Sequence, residues 1–99
     1  MAHYELFLNP AGSGYLLDVQ SDLLDALNVR AVVPLLPQDT GPLAASRLNP
    51  VFEIDGAAHV MMTQYIAAVP VGILKIPIGN LSAQCDMVTS ALDMLFHGF

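Results

Sequence analysis

The hydrophobic period of this chain changes once, near residue 80, and that switch limits the possible fold more than any other feature. Before it, apolar residues alternate or run in short blocks bounded by Pro, Gly and Asn, the pattern of β-strands. After it, Cys85, Val88, Ala91 with Leu92, and Leu95 with Phe96 recur at three-to-four spacing, while Asp86, Thr89, Ser90 and Asp93 turn away. This spacing predicts one amphipathic helix over 82–96. Ser82 is placed to cap its first turn, Asp86 lies near the positive end of its dipole, and Gly98 is placed to stop it.

Within the strand-like part, the run 4–8 sets Tyr4, Leu6 and Leu8 opposite Glu5 and Phe7. The breaker cluster from Asn9 through Gly14 separates it from a second run, 15–20, in which Leu17 and Val19 oppose Asp18 and Gln20. The two runs predict a hairpin. Residues 29–36 are rich in β-branched side chains, but Pro34 has no N–H to donate, which predicts an edge or a bulge there. The polar, turn-rich segment 37–49 reads as a long surface loop holding at most one helical turn near 43–48. Asp55-Gly56 supplies the positive backbone angles of a two-residue type I′ turn between runs 50–54 and 57–61. Pro70 and Pro77 exclude a long helix from the extended apolar stretch 67–78. With no internal repeat or linker, residues 1–99 read as one domain of the α+β class, mainly β, with an antiparallel sheet covered by a terminal helix.

Composition narrows the function classes. Arg30, Arg47 and Lys75 are the only basic residues against nine acidic ones, a net charge of −6. Nucleic-acid binding draws its affinity from Lys and Arg on phosphates, so direct binding to DNA or RNA is disfavoured. The most apolar stretch, 56–79, is broken by His59, Gln64, Pro70 and Pro77 and falls short of a membrane span. The first ten residues lack the basic start and apolar core of a secretory signal, and Cys85 is the only cysteine. Together they point to the cytoplasm, with Cys85 as a small packing residue. At 55% hydrophobic residues in so short a chain, apolar surface is left over for a homodimer or a standing partner.

Residues that could carry chemistry are scattered. His3, His59 and His97 lack metal-ligand spacing, so no metal or cofactor site is expected. Ser21, His59 and an aspartate could form a triad, but no nucleophile elbow is present. Gly12 and Gly14 with Ser13 resemble a phosphate loop only loosely, because no lysine follows. A ribonuclease would need a base beside a cation, for which Arg30 or Arg47 with Asp18 or Glu53 can be nominated. No catalytic residue is assigned. The apolar ending of the chain, with Phe96 and Phe99, is instead expected to dock on a partner or complete a dimer seam.

At DVQSDLLD (18–25), RAVVPL (30–35), MMTQYIAAVPV (61–71) and the terminal MLFHGF, the chain resembles the CcdB toxin family, with the blocks in the family's order over nearly the whole length. The resemblance implies a homodimeric, non-enzymatic toxin of a type II toxin–antitoxin pair. Its fold would be a five-stranded antiparallel sheet with a smaller flanking sheet and a C-terminal helix, an SH3-like barrel. Such toxins bind the DNA gyrase A subunit, trap the enzyme on cleaved DNA, and are neutralised by a CcdA-like antitoxin that folds on binding. The gyrase contact of the family falls here on Leu23, Leu24, Asp93, Phe96, His97, Gly98 and Phe99. Leu23 and Leu24 stand for isoleucines of equal size. The family's best-known ending, Trp-Gly-Ile, has become His97-Gly98-Phe99, and a helix asparagine has become Asp93. Loss of the Trp removes stacking area, which implies weaker binding to a standard gyrase or a match to the host's own. Asp93 and His97, four apart, have the spacing of a helical ion pair. The Gly12 and Pro42 loops are candidate antitoxin contacts. An endoribonuclease toxin of related fold is the alternative from another class.

Overall fold

The computed structural model describes residues 3–39 and 47–98. Among these residues seven strands, β1 (Glu5–Leu8), β2 (Tyr15–Asp18), β3 (Val29–Pro37), β4 (Val51–Ile54), β5 (Ala57–Met61), β6 (Ala67–Pro70) and β7 (Gly79–Asn80), precede one α-helix, α1 (Cys85–His97). All described pairings are antiparallel, and the order is β4-β5-β3-β2-β1-β7 with β6 also on β3. The fold is therefore α+β, mainly β. The main sheet is β6-β3-β2-β1-β7, and the smaller part is β4 and β5 on the far end of β3, so the two share one strand. Among the described residues, no helix is long and apolar enough to cross a membrane.

Pro34 is not at an edge or a bulge, as its missing N–H suggested, but in the middle of the longest strand. The register explains why it is tolerated. On one side of β3, β6 pairs residues 29–32 and β5 pairs 35–37, so Pro34 lies where one partner gives way to the other. Its carbonyl accepts from Met62 N–H at 2.9 Å on that side. In an extended strand a residue's N–H and C=O point the same way, so the absent donor falls in the gap between β6 and β5.

Both predicted hairpins form. β1 and β2 pair across the breaker cluster, and Asp55 (φ 52°) with Gly56 (φ 78°) closes β4 on β5. The facing expected of β1 and β2 holds, with Tyr4, Leu6, Leu17 and Val19 on one face and Phe7 on the other, and the centre of the sheet is covered on both faces. Leu6, Leu17, Val33, Leu35, Phe52 and Met61 pack with Leu81, Val88 and Ala91 on the helix side. Phe7, Leu16 and Val32 pack with Leu74 on the other. Leu74 is the reason 67–78 does not stay extended: after β6 the chain makes a 3-10 turn, Val71–Ile73, which drops this leucine onto the second face.

The helix stop is as expected, with Gly98 left-handed (φ 78°) and its N–H on the carbonyls of Asp93 and Met94. The start is not. Ser82 caps nothing; its own N–H donates to Asn80 Oδ1 at 2.6 Å, and a 3-10 turn, Ser82–Gln84, leads into α1. Cys85 is half-buried, and its thiol sits 3.9 Å from Asp86 Oδ1. The helical turn expected near 43–48 falls mostly outside the described residues, as does the Pro42 loop.

Candidate protein-binding site

The residues implied as contacts fall on two exposed places. Leu23 and Leu24 lie on a 3-10 turn, Asp22–Leu24, in the connection between β2 and β3. Leu23 is 94% exposed and Leu24 50% exposed, although water around an apolar side chain is unfavourable. The other place is the last turn of α1. Val88 and Ala91 are buried against the sheet and Leu92 packs beside them, but Phe96, expected on the same apolar stripe, is 63% exposed. His97 and Gly98 are exposed and Asp93 is half-buried, while Phe99 lies outside the described residues.

The turn is built by polar groups. Ser21 Oγ accepts from Leu23 N–H at 3.2 Å, and Leu24 N–H donates to Ser21 O at 3.0 Å. Asp22 Oδ1 accepts from His3 N–H at 2.8 Å, which fastens the N-terminal side. Beneath the turn lie Asp18, Gln20 and Arg30, all buried. Arg30 Nε donates to Asp18 Oδ2 at 2.8 Å, and Nη1 donates to Asp25 Oδ1 at 3.1 Å. Burial pushes the Asp18 carboxyl above the ordinary carboxylate range, and the backbone N–H of Gln20 and the Arg30 guanidinium partly offset the rise. Elsewhere, Tyr15 Oη donates to Asp55 Oδ2 at 3.3 Å, and partial burial with this carboxylate raises its phenol.

The nominated catalytic groups do not form a centre. Arg30 and Asp18 do meet, but at 1% and 0% side-chain exposure they are out of reach of any substrate. Arg47 Nε donates to Ser90 Oγ at 2.7 Å and Lys75 Nζ to Gly72 O at 3.1 Å. Ser21 is occupied in the turn, while His59, buried, sets Nδ1 3.0 Å from Ala57 O and its ring edge-on to Tyr15. Ser21 follows the part of β2 paired with the start of β3, and His59 pairs Pro37 at the other end of β3, so they cannot form a triad. Among the described residues, no three His, Cys, Asp or Glu side chains converge on a metal position.

What sequence pattern alone missed is the support beneath Leu23 and Leu24. The available signal was Asp18 and Gln20 on one face of a strand, with a lone Arg30 at the start of the next. Large apolar side chains are exposed at this polar-fastened turn and at the helix end, and elsewhere at Leu8 and Ile76, surface of the kind that protein partners cover. The CcdB family model, described as CcdB protein, matches residues 3–98, so this chain belongs to the CcdB protein family.

Proposed function

We propose that this toxin of the CcdB type binds the DNA gyrase A subunit as a homodimer in the cytoplasm. Bound there, it traps gyrase on cleaved DNA and blocks replication and transcription. It does so without bond chemistry of its own, and a CcdA-like antitoxin neutralises it. The reading is carried by the exposure of Leu23 and Phe96, large apolar side chains held in water at places where folding gains nothing from them. Covering such a side chain on a partner returns about 1.5–3 kcal/mol each, which makes the two places natural anchors. Leu24, Asp93, His97, Gly98 and Phe99 complete the proposed contact, and His97 in place of the family's tryptophan tunes it to the gyrase of its own host.

An endoribonuclease of related fold is disfavoured by the burial of Arg30, which leaves Arg47 and Lys75 to bind a phosphate backbone on a chain of net charge −6. The test is purified protein with gyrase, ATP and supercoiled plasmid, beside a sample with RNA alone. Linear DNA released on denaturing the complex is the expected result. Cut RNA with intact plasmid would replace the proposal with the nuclease.

A further inference from the structure

The geometry points to Gln20, together with the Asp18–Arg30–Asp25 chain, as the device that positions the Leu23–Leu24 tip, an inference that rests on the tip being the proposed gyrase contact. Residues 21–28 are eight consecutive exposed positions. None of them joins either apolar cluster, so hydrophobic packing does not set the shape of this connection. Its shape is set by groups below it.

Gln20 uses both ends of its amide. Nε2 donates to Leu24 O at 3.1 Å and to Val29 O at 3.3 Å, and Oε1 accepts from Ala31 N–H at 3.1 Å. One buried side chain thus ties the tip, the return of the connection and the first residues of β3 to a single point. The backbone N–H of Gln20 donates to Asp18 Oδ1 at 3.0 Å, so the main chain that carries this side chain is held by the carboxylate that also holds Arg30. Arg30 then reaches from the buried Asp18 to Asp25, the residue directly after the tip. The two lines of contact grip the turn on both sides. A recognition element fixed in its bound shape loses less freedom on binding, and a buried network that fixes it gives precision that a loose surface loop lacks.

Asp18, Gln20 and Arg30 are buried and act as positioning residues, while Asp25, 58% exposed, is the outer anchor beside the tip. The experiment uses the full chain and three readouts: thermal unfolding, amide hydrogen exchange at Leu24 and Leu27, whose N–H groups bond to Ser21 O and Leu24 O, and affinity for a gyrase A fragment. Gln20→Met keeps the length and removes the amide, Asp25→Ala removes the outer anchor, and Asp25→Asn keeps an acceptor for Arg30. Phe52→Leu, in the apolar core away from the turn, is the destabilised control. Gln20→Met and Asp25→Ala should each speed exchange at Leu24 and Leu27 roughly tenfold and weaken binding by a similar factor. Asp25→Asn should restore both. Phe52→Leu should lower the melting temperature and leave both tip readouts alone.

Unchanged exchange at Leu24 and Leu27 in Gln20→Met overturns the assignment. So does faster exchange without loss of affinity, provided Leu23→Ala weakens binding. If Leu23→Ala binds normally, the gyrase reading of the tip fails instead, and the exchange rates, read without any target, still decide whether Gln20 holds the turn.

Discussion

Arg30 meets Asp18 through two nitrogens on one carboxylate oxygen, Nε at 2.8 Å and Nη2 at 2.7 Å, with both side chains out of water. Removing one member of such a pair strands the other in a low-dielectric interior. Arg30→Met should therefore cost about 3–5 kcal/mol, while Asp18→Asn combined with Arg30→Met should cost less than Arg30→Met alone. Urea unfolding of the parent and the two variants checks the order. Burial already raises the Asp18 carboxyl above its ordinary value of 3.8, and the guanidinium is one of the groups holding it back. In Arg30→Met the folded state should therefore bind a proton that the unfolded state releases. Its stability should rise as the pH falls from neutral towards that ordinary value, and a flat pH profile would contradict the argument.

Gly14 and Gly56 both have positive φ, but only one is closely approached. A Cβ on Gly14 would lie 2.1 Å from Leu35 O, whereas Gly56 has open space around it. Gly56→Ala should cost about 1 kcal/mol, the strain of a left-handed alanine. Gly14→Ala should cost more than that, because a clash with β3 is added. Denaturant midpoints of the two variants report the difference directly.

Leu23→Ala should leave stability within about 0.5 kcal/mol of the parent, since the side chain is 94% exposed. Its affinity for a gyrase A fragment should fall by about tenfold or more if the residue is an anchor. Calorimetry and a melting curve on the same sample separate the two effects.

Deleting Gly98 and Phe99 should abolish gyrase poisoning while the protein remains folded. Gly98 contributes the helix stop and no core contact, and Val88 and Ala91, which hold α1 to the sheet, lie more than a turn away. The expected loss of stability is about 1 kcal/mol, the scale of a helix-end motif. Retained toxicity in plasmid-bearing cells would remove the helix end from the contact.

The most legible parts of this fold were those in which a few adjacent residues dictate the backbone. Asp55-Gly56 and Gly98 adopt left-handed angles that most side chains resist, and the structure uses them where the sequence suggested. Pro34 misled because a missing donor signals an edge only if a single strand runs along that side, and here two strands share it. Ser82 misled because Asn80, two residues earlier, takes the first-turn amide. The apolar helix end was readable from composition, whereas the placement of Leu23 and Leu24 came from resemblance, since an exposed leucine carries no periodic signal. The Asp18–Arg30 pair beneath them was among the base-and-cation pairs nominated, but its burial was not legible: the two are brought together by pairing of β2 with β3, and spacing along the chain does not report burial.

The connection 21–28 is fastened by hydrogen bonds from below and adds no side chain to either apolar cluster. Its outward side chains can therefore mutate without jeopardising the scaffold that carries them. A lineage facing an altered adversary can try new shapes at Leu23 and Leu24 at little risk to its own foldability, so this is where neighbouring members should diverge first.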